Sequence, residues 1–301
     1  MAPLDMSFSS AAPGEVNAGQ RRFAFGGVMF EIETTGSSPW ALPPASRDCA
    51  LASSEVTCAQ LSCRVRHEPA LPALDPGDKG LSVWQPTAHG LSVRTAQCAL
   101  EIAPAGPGRF TGSAALATPG AAAELLTLAA CAVLESSGGL CLHATAVELG
   151  GKAILLLGPS GAGKTTAAQL LPGARCLAFD RVAVVPHRSG DQVWALPGGS
   201  PPRLERSAAR VLPLAGFLRI AQAYEKPAVR ALSAGEAALY LREAVEVGVG
   251  AGFLETRRLD AVSRLALAAT GGKAEVVLGK SWVGELQSFL AAASHPREGL
   301  S

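Results

Sequence analysis

A chain of 301 residues that is 48% hydrophobic carries enough apolar material for a sizeable core, in one large domain or two. Its charged fraction of 17% and net charge of +1, with no strong basic block, exclude general nucleic-acid binding through a charged face. The opening MAPLDMSFSS lacks the basic and apolar regions of a secretory signal, and the longest helix-like apolar stretch, Ala121 to Leu134, is too short to span a bilayer. No membrane partner is expected.

Residues 1–20 are small and polar and read as a flexible N-terminus. Arg22 to Thr35 alternates apolar and polar residues around Gly26-Gly27, the pattern of a hairpin. Ser37 to Arg47, with three prolines, reads as loop. Short strands are expected at Cys58–Arg66, Leu81–Trp84, Leu91–Arg94, Ala99–Ile102 and Arg109–Ala114, separated by turn residues. Residues 21–118 thus read as a β-rich N-terminal region, and 119–301 as a second, α/β region.

Pro119 and Gly120 open a helix over Ala121 to Glu135. Leu140 to Glu148 alternates with period two, Gly150-Gly151 turns the chain, and an apolar strand from Ala153 to Leu157 follows: a hairpin. A helix is expected from Thr165 to Leu171, then a strand at Arg175–Phe179 and a hairpin of Val182–Pro186 with Gln192–Leu196 around Ser189-Gly190. A Gly/Pro loop covers Pro197 to Pro202. Strands at Leu214–Ala221 and Ala228–Leu232 precede a helix over Ala234 to Val245, with Ser233 and Glu236 spaced as a capping box. A helix from about Thr256 to Ala269, a strand at Ala274–Leu278 and a helix at Val283–Ala293 complete the pattern.

The hairpin feeds into Gly158-Pro159-Ser160-Gly161-Ala162-Gly163-Lys164-Thr165, the G-x-x-x-x-G-K-[ST] phosphate-binding pattern known as Walker A. A buried strand, a glycine-rich turn and a helix start are what that chemistry needs. Gly158, Gly161 and Gly163 let backbone N–H groups wrap a polyphosphate without interference from Cβ atoms. Lys164 reaches the outer phosphates, and the Thr165 hydroxyl is a ligand for Mg²⁺. The expected ligand is a polyphosphate with Mg²⁺, cradled by residues 158–165 and the adjoining Thr166.

Asp180 ends an apolar strand sixteen positions after Lys164. A carboxylate there can hold Mg²⁺ or accept a proton from an attacking hydroxyl; a strand-end Asp can equally just cap the following turn. His143, on the strand before the phosphate-loop strand, could touch phosphates or acceptor, or be a satisfied core residue. Lys152 reads as a solvated turn residue.

Taken together, Leu142-His143-Ala144, Gly150-Gly151, the apolar strand, the loop from Gly158 to Thr166 and Leu177-Ala178-Phe179-Asp180-Arg181-Val182 resemble the catalytic domain of HPr kinase/phosphorylase. They resemble still more the HPr-kinase-related proteins associated with modified-peptide pathways. The match covers about residues 140–185, roughly a sixth of the chain. The resemblance implies a P-loop domain with a small mixed sheet and flanking helices, akin in architecture to phosphoenolpyruvate carboxykinases, behind the β-rich front. It implies phosphorylation of a serine hydroxyl of a protein or peptide by ATP. By position, His143, Ser160, Lys164 and Thr165 match family functional residues, and Asp180 matches the second aspartate of the family pair. Many family members form homo-oligomers; nothing in this sequence shows an interface. The family's first aspartate, its proton acceptor, falls on Phe179. Its later acidic-Arg-Gly run is absent, with Glu205-Arg206 the nearest substitute.

Two readings follow. In one the chain is a serine kinase with Asp180, Lys164 and His143 as catalytic residues. In the other it is a nucleotide-binding regulator or scaffold without transfer activity, which Phe179 favours. A motor or transport ATPase fits poorly, because no LSGGQ-like signature or distant Walker B strand is found. The seven cysteines, odd in number and without a C-x-x-C pair, read as reduced, mostly buried thiols of a cytoplasmic protein.

Overall fold

The computed structural model describes residues 20–35, 57–68, 71, 82–197, 205–223, 225–246, 251–277 and 282–293. The loops expected at 37–47 and, beyond Pro197, at 198–202, and nearly all of segment 1–20, lie outside these. Among the described residues the chain is mixed α/β, built on two mixed sheets.

The first sheet contains β1 (Gln20–Phe25), β2 (Val28–Thr35), β3 (Ala59–His67), β4 (Val83–Pro86), β5 (Leu91–Arg94), β6 (Cys98–Gly106) and β7 (Arg109–Leu116). Its spatial order is β1-β2-β3-β7-β6-β5-β4. The β1–β2 hairpin forms as the sequence predicts, with Gly26 and Gly27 at positive φ in the turn. Its central strands are parallel, however: β3 pairs in parallel with both β2 and β7. Apolar residues at alternate positions, such as Leu61, Cys63 and Val65, give the sheet one buried face.

That face rests on α1 (Ala122–Ser136), entered through a 3-10 turn at Pro119–Ala121. A helix apolar all round must be buried all round. Leu125, Leu126, Ala130, Val133 and Leu134 are all at most 2% exposed, because α1 is packed between the two sheets. This explains the apolar stretch noted in the sequence; no described helix is long and apolar enough to cross a membrane.

The second sheet contains β8 (Leu140–Leu149), β9 (Lys152–Leu157), β10 (Arg175–Ala178), β11 (Arg181–Val185), β12 (Gln192–Ala195), β13 (Val211–Gln222), β14 (Ala228–Ala231) and β15 (Thr270–Val276). Strand β9 lies between β8, antiparallel, and β13, parallel. Strand β13 pairs in parallel with β15 as well. The long strands β8 and β13 each serve two neighbourhoods: their remaining residues pair with β11 and β12, which pair with each other. Strands β10 and β11 follow one another along the same edge of β8.

Helices α2 (Lys164–Gln169) and α5 (Val283–Ala293) cover one face of this sheet. There Trp282, fully buried, donates from Nε1 to the Ala167 carbonyl at 3.0 Å and pins the short α2. Helices α3 (Ala234–Ala244) and α4 (Glu255–Ala268) lie on the other face, continuous with the core around α1. Helix α3 starts with the expected capping box between Ser233 and Glu236. Strand β15 begins at Thr270, four residues before the sequence suggests. Gly271 and Gly272 are strand residues: a Cβ at Gly271 would lie 2.8 Å from the Phe217 ring, and one at Gly272 2.8 Å from both Leu218 and Phe289. Of the described cysteines, Cys58 is half-buried and the others are buried and free.

Candidate functional site

The site forms at the carboxyl ends of the parallel strands β9, β13 and β15, where open α/β sheets leave a crevice for ligands. At Leu157, the last residue of β9, the flanking positions are Ala144 of β8 on one side and Arg219 of β13 on the other. The chain then turns through residues 158–163 into α2.

Gly158, Gly161 and Gly163 have φ of 152°, 77° and 90°, a region that favours glycine. A Cβ on Gly161 or Gly163 would meet nothing within 4 Å, so the crest of the loop faces open space. Gly158 differs: a Cβ there would lie 2.9 Å from that of Ala162 and 3.3 Å from Nη1 of Arg219. Gly163 is the N-cap of α2 and provides no side-chain cap. Pro159, Ser160 and Gly161 are exposed, and Ala162, Thr165 and Thr166 half-buried. The loop thus combines glycine-favoured backbone with an exposed crest.

Lys164 is only 8% exposed. Its ammonium donates to the carbonyls of Gly158 at 2.8 Å and Pro159 at 3.2 Å. Burial pushes its pKa down, Asp180 partly offsets this, and Arg219 adds to the depression. Nε2 of His143 lies 3.2 Å from Nζ of Lys164, and Nδ1 of His143 lies 3.1 Å from Oδ1 of Asp180. One tautomer satisfies both contacts: the neutral ring donates from Nδ1 to the carboxylate and accepts at Nε2 from the ammonium.

Asp180 reaches His143 because of a local departure from strand geometry. The β10–β8 register shifts between Cys176 and Ala178, and Phe179 and Asp180 then form a bend before β11 resumes pairing at Arg181 opposite His143. Asp180 has φ of 76°, the one positive φ of a non-glycine among the described residues, and its carbonyl accepts from the Ala144 amide at 3.2 Å. Such conformations cost roughly 1–3 kcal/mol and concentrate at functional sites. The His143 and Asp180 side chains are 38% and 46% exposed, so an incoming molecule can reach them. Phe179, where the resemblance has its first aspartate, is half-buried at the bend.

The structure thus brings His143, Lys164 and Asp180 together beside the loop. Thr165 follows Lys164 in the first turn of α2. No group of three or more His, Cys, Asp or Glu side chains among the described residues is arranged for a metal. A Mg²⁺ held by few protein oxygens and by phosphates does not require one. Glu205 and Arg206 are elsewhere, on the outer edge at β10, where Glu205 pairs with Arg175 at 3.3 Å and is largely exposed. Lys152 is exposed at the hairpin turn.

Sequence reasoning missed the opposite flank of the loop. A cleft of about 510 Å³ opens between Pro159–Ala162 and the end of β13, bordered by Arg219, Tyr240 and Lys273. Arg219 lies 3.5 Å from Glu243 and its guanidinium sits 5.0 Å from the centroid of the Tyr240 ring. The available signal was a lone arginine inside the apolar strand GFLRIA.

A family model described as "SynChlorMet cassette protein ScmC" matches residues 123–270, just under half of the chain, including the loop and both flanks. No curated protein matches. Among solved structures, the HPr(Ser) kinase/phosphatase from Coxiella burnetii is similar at a TM-score of 0.29 and 8% identity, over 51% of this chain and 95% of that one. At that level the overlap is too loose to carry residue correspondences.

Proposed function

We propose that this protein binds ATP with Mg²⁺ at residues 158–166 and transfers the γ-phosphate to a serine hydroxyl of a protein or peptide, as a kinase of HPr-kinase-like type. The observation that carries the reading is the His143 bridge between Lys164 of the loop and Asp180. A loop that only bound nucleotide would not need a carboxylate held at a positive φ, beside the loop lysine and open to solvent.

In this reading Lys164 exchanges the Gly158 and Pro159 carbonyls for phosphate oxygens, whose charge further offsets the burial of its ammonium. Thr165 would hold Mg²⁺, with Asp180 acting on it through water, and the ion when bound neutralises charge on the phosphates. His143 occupies Oδ1 of Asp180 and leaves Oδ2 to take the serine proton. As the serine oxygen bonds to the γ-phosphorus, the bond to the β-bridging oxygen breaks and ADP leaves. Positioning and charge supply most of the acceleration in such transfers, so a single carboxylate suffices despite Phe179.

The second reading, a nucleotide-binding regulator without transfer, is favoured by Phe179 at the position of the family's proton acceptor. The experiment that separates them follows labelled γ-phosphate from ATP to candidate acceptors. The family description as a cassette protein makes peptides and proteins encoded alongside this chain the first to try. Transfer that falls with Asp180→Asn while nucleotide binding persists supports the kinase. Binding with transfer to no acceptor and no sensitivity to Asp180 supports the regulator.

A further inference from the structure

The loop has two flanks, and the proposed chemistry uses only the His143–Asp180 side. On the other side stands Arg219, 20% exposed, in a strand whose neighbouring residues Phe217, Leu218 and Ile220 are buried. Its position in the sheet is fixed by register, opposite Leu157 of β9 and Lys273 of β15, so it stands beside the first residue of the loop. A Cβ on Gly158 would be 3.3 Å from Nη1 of Arg219, while the Gly158 carbonyl accepts from Nζ of Lys164 at 2.8 Å. Two cations therefore stand close to Gly158.

This arrangement suits an anion. Like charges this close in a half-buried setting repel. Two carboxylates compensate from the edges of the gap: Asp180 reaches Lys164 through His143, and Glu243 meets Arg219 at 3.5 Å from α3, where it is half exposed. Tyr240, one turn earlier on the same helix face, holds the guanidinium by its ring at 5.0 Å. An arginine so held is restrained by a ring face and one loose ion pair, and most of its N–H donors remain available to a phosphate.

We propose that Arg219 is a second phosphate-binding cation of the site, supplied by the same chain, which contacts the outermost phosphate of a nucleoside triphosphate and sets preference for triphosphate over diphosphate. The proposal rests on the nucleotide-binding reading above. Lys164 and Arg219 flank Gly158, so Arg219 lies at the end of the loop where the lysine ammonium sits, which is the end that receives the outer phosphates. Glu243 acts as a counter-ion that the phosphate displaces.

The test is calorimetric titration of the whole protein with a non-hydrolysable ATP analogue and with ADP, each with Mg²⁺, for wild type, Arg219→Ala, Arg219→Lys and Glu243→Gln. Losing one bidentate phosphate contact should weaken the triphosphate about tenfold or more and leave ADP within about twofold. Arg219→Lys should fall between, because the charge remains and the fork is lost. Glu243→Gln should leave triphosphate binding equal or tighter, because the competing carboxylate is gone.

A merely structural Arg219–Glu243 pair predicts that both partners' variants weaken both nucleotides alike, and that result overturns the proposal. So does an Arg219→Ala protein with wild-type preference for triphosphate. If Arg219→Ala does not fold, Arg219→Lys and Glu243→Gln still decide by the opposite signs expected of them. Wild-type protein that binds neither nucleotide overturns the underlying reading and the proposal with it, and does so before any variant is made.

Discussion

Nδ1 of His143 lies 3.1 Å from Oδ1 of Asp180, across the edge where β11 pairs with β8. The other ring nitrogen faces Lys164 at 3.2 Å, so one imidazole ties the loop lysine to the candidate base. Replacing His143 by Gln should leave Asp180 unsupported without emptying the loop. Phosphate transfer should fall by about 10²-fold with nucleotide affinity nearly unchanged. Single-turnover transfer beside calorimetry checks this; equal losses in both would assign His143 to binding alone.

Gly158→Ala tests the loop's geometry. The new Cβ would press on Ala162 at 2.9 Å and on Arg219 at 3.3 Å, at a φ of 152° that side chains rarely adopt. A loss of about 1–3 kcal/mol in stability is expected, with nucleotide binding abolished. Gly161→Ala meets no neighbour, so only its φ of 77° opposes it and it should be the milder change. Denaturant unfolding of the two variants checks the order.

The ion pair of Arg258 and Glu135 joins α4 to the end of α1 at 2.6 Å, with the side chains 3% and 0% exposed. Burial pushes the Glu135 carboxyl up to about 7; Arg258 opposes this and Glu246 reinforces it. A folded-state value above the unfolded one means the folded protein holds the proton more tightly. Stability from this group is complete below the unfolded value of 4.5 and is lost as pH rises through about 7. Unfolding midpoints measured from about pH 5 to about pH 8 should fall, and Glu135→Gln should flatten that slope. Arg258→Ala should cost about 3–5 kcal/mol, whereas exchanging both partners for apolar residues of similar volume should cost little.

Ser233 caps the helix that carries Tyr240 and Glu243, accepting from the Glu236 amide while the Glu236 side chain returns to the Ser233 amide. Ser233→Ala should destabilise by about 1 kcal/mol. Thermal unfolding checks the value; no change would mean that tertiary contacts alone fix α3.

Local signals made much of this legible in the sequence. The Gly26-Gly27 and Gly150-Gly151 hairpins, the capping box at Ser233 and the glycine-rich loop each depend on a few adjacent residues. Long-range pairing was not legible. Nothing local says that β3 runs parallel to both neighbours, or that Glu135 meets Arg258 across the core. The sequence pattern starts the last strand only after Gly271-Gly272, because it does not show Phe217, Leu218 and Phe289 filling the space a side chain would need. His143 and Asp180 could be named as candidates, but their link depends on a bend that strand patterns do not encode. Arg219 escaped notice because it becomes part of the site only through the register of β13 with β9.

The central claim is that residues 158–166 bind a nucleoside triphosphate through Lys164. Its most direct test is calorimetric titration of wild type and Lys164→Ala with a non-hydrolysable ATP analogue and Mg²⁺. The account predicts saturable one-to-one binding by the wild type, and a loss of about tenfold or more in the variant, whose unfolding should remain cooperative. Absence of binding by the wild type, or equal binding by both proteins, would contradict it.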